Sequence, residues 1–564
     1  MSSPKWWQTA VFYQIYPRSF ADGNGDGIGD FAGMTRKLDY LQDLGIDAIW
    51  LSPHFPSPFL DCGYDISDYT AVAPEYGTLE DFKTFLEDAH SRHIKVVLDL
   101  VLNHSSDQHD WFKASRSSRD NPKREWYVWR EGRNGGPPNN WASIFGGSAW
   151  TYDEQTGQYY YHAFLKEQPD LNWRNPEVKA AMWDAVRFWL DMGVDGFRLD
   201  ALATIYEHPD LPDQTSGYAA EEILDANAFH KDEYLKLLEF QVRQPGLHEL
   251  MQELRSLVDE YSGDRVLIGE DEDVAFYGTG NNELHLLFNF PLVNVPKLTV
   301  QHIRANQAQR LTALPPEAWP CNTLGHHDIS RLWTHFGDGS NDAALAKLHL
   351  ALLLTLKGTP FIFNGDEIGM TDLELSKLSE VKDSAVLNQY YLLTEKLSIT
   401  PAKALETVLA TTRDRCRSPL QWENSANGGF CPADVSPWLP VNKNYATGVN
   451  VATQQEDPDS HLNFCKRLLS LRKTNEALRT GDYQALHNDS KTYLAFLRHD
   501  KQAGQSCLVM LNFSDETQRL SLDLGANSPN ILMSSTNRKE ESLSFETLEL
   551  APFEILIAQL YPLR

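Results

Sequence analysis

The sequence predicts an α/β fold: a (β/α)8, or TIM, barrel with an inserted subdomain after its third strand and a C-terminal antiparallel β-domain. Three observations carry this. Short β-branched and apolar runs alternate with longer amphipathic stretches through most of the 564 residues, the order that strand–helix units require. One gap between such runs, rich in Trp, Gly, Asn and Pro, is too long for a single unit. From about residue 483 the pattern changes to short alternating segments separated by polar turns.

Each element follows from its local pattern. VFYQIYP (11–17), AIWLSP (48–53), KVVLDLV (95–101) and GFRLDA (196–201) mark the first four barrel strands. VLIGE (266–270), LLFNF (286–290), NTLGHHD (322–328) and PFIFNGDE (360–367) complete a set of eight. Between them, LEDFKTFLEDAHSRH (79–93) and PEVKAAMWDAVRFWLDMG (176–193) carry helical patterns. About 95 residues separate the third and fourth strands and include WYVWREGRNGGPPNNWASIFGG. TYLAFLRH, SCLVMLNF and ILIAQLYP supply the late strands. The expected division is a barrel over 1–103 and 174–482, an inserted subdomain over 104–173 and a β-sandwich-like domain over 483–564.

Hydrophobic residues make up 42% and charged residues 23% of the chain, a globular balance that excludes wholesale disorder. A net charge of −28 repels phosphate backbones and argues against a nucleic-acid partner. Cys62, Cys321, Cys416, Cys431, Cys465 and Cys507 lie far apart with no C-x-x-C pair, which is neither a zinc spacing nor a disulfide framework. The opening MSSPKWWQTAVFYQIYP lacks a basic region followed by an apolar one. LALLLTLKGTPFIF is broken by Lys357 and Pro360. Neither a signal peptide nor a membrane span is expected, and a cytoplasmic protein with free thiols is.

A barrel places its chemistry at the C-terminal ends of its strands. Asp200 closes GFRLD, Glu270 closes VLIGE and Asp328 follows NTLGHH, so three acids are expected to converge on one mouth. A single strand-end acid is as readily a solvated cap; three at matched strand ends are not. Arg198 stands two residues before Asp200 and shares its strand face, where its charge favours an ionised carboxylate. Glu270 follows an apolar run, where desolvation raises a carboxyl towards the range of a general acid. Two carboxyls with different roles are the machinery of glycoside hydrolysis, and a separation of about 5 Å selects the retaining route.

Around these acids runs an ordered set of motifs: WWQTAVFYQIYPRSFADGNGDGIGD, CGYDISDY, DLVLNHSSDQHDWF, GFRLDA, IGE and HHD, with PPNNWASIFGGSAW, QPDLNWRNPEV and RSPLQW. In this order and spacing, and over nearly the whole chain, the sequence resembles an α-glucosidase of glycoside hydrolase family 13, the α-amylase superfamily, in its oligo-1,6-glucosidase-like branch. The resemblance implies Asp200 as nucleophile, Glu270 as acid/base and Asp328 as the residue stabilising the distorted transition state. It also implies a glucose pocket built from Asp61, Tyr64, His104, Phe145, Arg198, His327 and Arg417. There Asp61 and Arg417 are expected to hold hydroxyls at the non-reducing end, Tyr64 to stack on the sugar ring, and His104 and His327 to donate to ring hydroxyls.

Asp22, Asn24, Asp26, Ile28 and Asp30 alternate with glycines. Side-chain oxygens at positions 1, 3 and 5, a backbone carbonyl at 7 and an acid at 9 resemble the start of a calcium loop, without the Glu at position 12 of an EF-hand. The similar loop of the family binds Ca2+ or Mg2+, which implies a structural metal here. The chain departs from the family pattern at His326, where Asn is usual, and at Cys62, which replaces an Asn beside Asp61. Asn364-Gly-Asp366-Glu367 stands for a more usual Gln-Gly-Glu-Glu, and the stretches 203–245 and 371–412 match poorly.

The expected activity is retaining exo-hydrolysis of short α-glucosides, releasing α-glucose with a preference for α-1,4 bonds. That preference rests on Ala201, where α-1,6-preferring members typically carry Val; a methyl-scale difference is worth about 1–3 kcal/mol. The alternative is a transglucosylase or isomerase on the same machinery, acting on sucrose, trehalose or a glucosylated alcohol. The Arg-Leu-Asp-Arg-Leu loop associated with sucrose isomerases does not occur in the sequence. A binding-only role, as in the family's transporter subunits, is opposed by the three retained acids. The expected partner is a small oligosaccharide or glucoside, with no nucleic acid and no membrane, for a monomer or homodimer.

Overall fold

A computed structural model describes residues 3–524, 527–536, 538 and 545–562. All eight expected barrel strands form, most of them shorter than the runs that mark them. They are β1 (Phe12–Ile15), β2 (Ala48–Leu51), β3 (Lys95–Val101), β4 (Gly196–Asp200), β5 (Val266–Gly269), β6 (Leu286–Leu287), β7 (Cys321–Thr323) and β8 (Thr359–Phe363). Their order is β7-β8-β1-β2-β3-β4-β5-β6, parallel throughout, so the ring is closed except between β6 and β7. Side chains cross that seam: Asn289 Nδ2 donates to Asn322 Oδ1 at 3.1 Å, and the Cys321 thiol to the Leu287 carbonyl at 3.1 Å. One expectation is corrected. β7 stops at Thr323, so Asp328 stands on the loop beyond it rather than on the strand.

The strands read as continuous apolar runs because both faces of a parallel barrel are covered. Phe12, Trp50, Val97, Ile268, Phe288 and Phe361 fill the interior, with Phe12 and Phe361 stacked at 4.6 Å. Helices cover the outside. Leu79–Ser91 starts at Thr78, whose hydroxyl accepts from the Asp81 amide while Asp81 Oδ2 accepts from the Thr78 amide, a reciprocal cap. It buries Phe82, Phe85, Leu86 and Ala89, which lie on one helical face. Pro176–Met192 has Asn175 at its cap and Pro at its first position, and ends on Gly193 at φ 107°.

Three excursions follow strand C-termini. Residues 104–173 carry a three-stranded antiparallel sheet formed by Trp129–Arg130, Trp150–Asp153 and Gln158–Tyr161. Its core around Trp141, Trp150 and Tyr161 also takes in Ala220, Ile223 and Leu237 from the stretch after β4. The stretch after β8 forms helices Ser384–Tyr391 and Pro401–Thr411 around Val386, Leu393, Ala404 and Val408. Trp141 Nε1 donates to the Pro212 carbonyl at 2.7 Å, and Asn388 Nδ2 to the Phe145 carbonyl at 3.3 Å, so the three excursions lock together over the barrel mouth.

The last section forms a five-stranded antiparallel sheet and a two-stranded one. Arg498, fully buried on Tyr493–Asp500, donates to the carbonyls of Thr355 and Leu356 at 2.6 and 2.8 Å, which fastens this sheet to the helix Asp342–Thr355. Among the described residues no helix is long and apolar enough to cross a membrane. All six cysteines are free and buried.

Candidate active site

Parallel pairing sets Asp99 of β3 beside Arg198 of β4, and Arg198 becomes the hub of the mouth. Its guanidinium is 1% exposed; Nη1 donates to Asp99 Oδ1 and Asp200 Oδ1, both at 2.7 Å, and Nη2 lies 2.8 Å from Glu270 Oε1. The sequence placed Arg198 beside Asp200 but gave no reach to Glu270, and it missed Asp99. The signal for Asp99 was present: a lone acid inside the apolar run KVVLDLV. Fully buried, it also accepts from Trp50 Nε1 at 3.0 Å and from the Tyr64 hydroxyl at 3.1 Å.

Three carboxyls therefore share one cation. Burial raises the Asp200 carboxyl well above its ordinary value, and the charges of Glu270 and Asp99 add to this against the pull of Arg198. Glu270 is raised too, first by burial and then by Asp328, and is relieved by Arg198 and by the Ala201 amide, which donates to Oε2 at 2.8 Å. Arg198 favours the ionised form of both carboxyls, and burial opposes it at both, so the two acids act on each other through one shared cation. Asp328 behaves oppositely. Burial would raise it, but Arg417 Nη2 at 2.6 Å and Arg413 Nη1 at 3.4 Å, with His327 Nε2 at 3.0 Å, hold it well below the carboxylate range. Burial keeps His327 neutral, so the charge facing Asp328 is that of the two arginines.

The pocket wall continues through Tyr64. Its ring stacks on His327 at 5.3 Å and its hydroxyl meets His327 Nε2 at 2.7 Å, while the Gln14 amide holds His327 Nδ1 at 2.8 Å. One face of Tyr64 is thus covered by an imidazole. His104 is oriented by Asn103 Oδ1 at 2.9 Å and by Gln168 Nε2 at 2.9 Å, and burial lowers it to about 3. Gln168 Nε2 also donates to Asp61 Oδ2 at 3.0 Å. His326 is packed on Phe290 at 5.5 Å and is lowered to about 4 by burial, so the departure from Asn places a neutral ring beside Asp328.

Asp61 and Arg417, both expected to hold hydroxyls at the non-reducing end, do not stand together there. Arg413 stands there instead, with Nη2 at 2.9 Å from Asp61 Oδ1, and it also holds Asp383 at 2.7 Å and faces the Phe145 ring at 5.2 Å. Arg417 is fully buried behind Asp328 and donates from Nε to the His327 carbonyl at 2.8 Å. The run Arg413-Asp-Arg-Cys-Arg417 offers three arginines at equal spacing, and only the fold tells them apart: Arg415 goes to Asp372 at 3.2 Å. Asp61, Tyr64, His104, Phe145, Arg198, Asp200, Glu270, His327 and Asp328 do converge. Asp99, Gln168, Asp383 and Arg413 join them.

The Asp22–Asp30 loop lies apart from this mouth. Asp22 accepts from the Gly25 and Gly27 amides at 2.6 and 2.8 Å, and Asn24 and Asp26 accept from the Asp26 and Ile28 amides at 2.9 and 2.8 Å. Gly25 and Gly27, at φ 84° and 90°, permit this coil. Asp30 caps the helix Phe31–Arg36; its two oxygens take the amides of Gly23, Asn24 and Gly33. The remaining donors are all oxygen, which suits a hard cation.

Comparison with known proteins places this geometry. The model of the α-amylase catalytic domain matches residues 14–481. An oligo-1,6-glucosidase of Parageobacillus thermoglucosidasius is 38% identical over 99% of each chain, and an α-glucosidase of Pediococcus pentosaceus is 37% identical over 91% of this chain and 92% of that one. Among solved structures, the trehalulose synthase MutB of Pseudomonas mesoacidophila MX-45 is 39% identical, with a TM-score of 0.90 over 99% of this chain and 100% of that one. An isomaltulose synthase mutant of Erwinia rhapontici NX5 is 36% identical, with a TM-score of 0.88 over all of both chains. The chain is a glycoside hydrolase and belongs to the α-amylase family, glycoside hydrolase family 13.

Proposed function

We propose that the protein is a retaining exo-α-glucosidase that releases α-glucose from the non-reducing end of short α-glucosides, with a preference for α-1,4 bonds. The observation that carries this reading is the single guanidinium of Arg198 holding both Asp200 and Glu270 opposite Asp328. Two carboxyls on neighbouring nitrogens favour the close pair of a retaining enzyme, about 5–5.5 Å apart. Asp200 attacks the anomeric carbon while Glu270 gives its proton to the leaving oxygen. Glu270 then takes a proton from water, which displaces Asp200 from the glucosyl ester and restores both groups. Asp328, kept ionised by Arg413 and Arg417, accepts from sugar hydroxyls as positive charge develops at the ring.

Asp61 and Arg413 close the far end of the pocket, which favours di- and trisaccharides over polymers. Asp22, Asn24, Asp26 and the Ile28 carbonyl would hold a Ca2+ or Mg2+ ion, with Asp30 shaping the loop; such an ion stabilises the turn after β1 and supplies no step of the reaction. The six free cysteines accord with a reducing, cytoplasmic setting. A second reading, glucosyl transfer or sucrose isomerisation, is favoured by the likeness to the trehalulose and isomaltulose synthases. A proton NMR time course with maltose, isomaltose, sucrose and trehalose decides between them. Early α-glucose, fastest from maltose, supports the first reading; new glycosidic signals without free glucose support the second. Early β-glucose would overturn the role of Asp200.

A further inference from the structure

Around Arg417, on its side away from Asp328, lies a group of polar side chains that the reaction does not use. Arg18 is largely buried, with its guanidinium 4.3 Å from the Phe59 ring centroid and 5.0 Å from that of Trp438. Tyr16 and Tyr76 are each 1% exposed. Arg417 lies over the Tyr16 ring at 5.5 Å, and Cys62 packs against Tyr16. Tyr16, Tyr76 and Cys62 all lie within electrostatic reach of Arg18, and Tyr16 and Cys62 within reach of Arg417.

The hydrogen bonding of this group does not close. Arg18 Nε and Nη1, Arg417 Nη1 and the hydroxyls of Tyr16 and Tyr76 are buried and have no hydrogen-bond partner. All of them can donate, and the two hydroxyls can also accept, yet none is paired, and buried donors left unpaired are costly. Tyr76 approaches Arg18 but not in hydrogen-bond geometry. Arg417 has Asp328 as its counter-charge, whereas no carboxylate is among the groups that act most strongly on Arg18. Stacking on two aromatic faces relieves part of the burial of that cation, but not its unpaired N–H groups. The residue at the centre, Cys62, offers only a weak acceptor. Its backbone is left-handed, φ 52°, a conformation in which Asn, a strong acceptor, is at ease.

We propose that Tyr16, Arg18, Tyr76 and Arg417 enclose a small monovalent anion of the halide class beside Cys62. The anion accepts from the unpaired donors and balances Arg18. It also fixes the plane of Arg417, whose other terminal nitrogen holds Asp328 at 2.6 Å. Water would satisfy the donors but not the charge.

The test does not depend on the sugar the enzyme takes. Crystals soaked in sodium bromide are examined for anomalous scattering, and Tm is followed as chloride replaces gluconate, an anion too large for the site, at constant ionic strength. The expected results are a bromide peak in contact with Arg18 and Arg417 and a saturable rise in Tm of about 1–3 °C. Cys62→Asn places an amide oxygen among the donors, so it abolishes the halide response and raises Tm in gluconate; Arg18→Met abolishes the response as well. Water density without a bromide peak, or equal responses of the native protein and Cys62→Asn, overturns the proposal.

Discussion

Replacing Arg413 with Met tests how the pocket end is held. The guanidinium meets Asp383 through Nε at 2.9 Å and Nη2 at 2.7 Å, Asp61 at 2.9 Å and Asp328 at 3.4 Å. Asp383 is fully buried, and although burial would raise it, Arg413 takes it down to about 2. Against an ordinary value of 3.8 that shift is a preference for the ionised form on the order of 2 kcal/mol. Because the folded value is the lower one, this stability is present above about pH 4 and is lost as pH falls through about 2. Breaking a buried pair while leaving its carboxylates in place costs about 3–5 kcal/mol. Arg413→Met is therefore expected to lose about that much in urea unfolding. In kcat/KM it should fall about a hundredfold, the equivalent of about 2.7 kcal/mol, because Asp61 and Asp328 lose a common partner. Asp383→Asn removes the carboxylate that Arg413 serves most directly. The double variant should then lose at least about 2 kcal/mol less than the two single losses added together. Additive losses, or a kcat/KM within threefold of the native enzyme, would refute the assignment of Arg413 as the organiser of this wall.

Three further outcomes are expected. Ala201 sits at φ 43° with its amide on Glu270; Ala201→Val puts a β-branched residue in the left-handed region at a cost of about 1–3 kcal/mol, and should shift the isomaltose-to-maltose ratio of kcat/KM upward by about 10–200-fold, read by paired initial rates. His349, buried among Phe336 and Phe513, is lowered to about 3 by burial, so its stability contribution is present above pH 6.5 and lost as pH falls towards 3; His349→Leu should reduce the slope of unfolding free energy between pH 6 and 4 by about 1.4 kcal/mol per pH unit. Chelation should lower the Tm of the native protein, with Ca2+ or Mg2+ restoring it, while Asp22→Ala starts low and does not respond; an equal response in both would place any metal elsewhere.

The sequence by itself determined what short-range chemistry can carry. Continuous apolar runs located eight barrel strands because parallel strands are buried on both faces, and helical periodicity located the helices that form as Leu79–Ser91 and Pro176–Met192. Asp200 and Glu270 were legible because a barrel aims all its strand ends at one mouth. The tertiary structure decided what depends on register across strands and on packing between distant loops. It set Asp99 against Arg198 from a neighbouring strand, and it chose Arg413 over Arg417 for Asp61 across a separation of more than half the chain. It also gathered Asp99, Asp200 and Glu270 around one guanidinium, so that burial and mutual repulsion, rather than the flanking residues of any one acid, govern where the proton resides. A charge's neighbours in space fix its energy, and the 203–245 and 371–412 stretches take their places only by packing, the first on the core of the inserted sheet and the second against Leu224 and the Phe145 carbonyl.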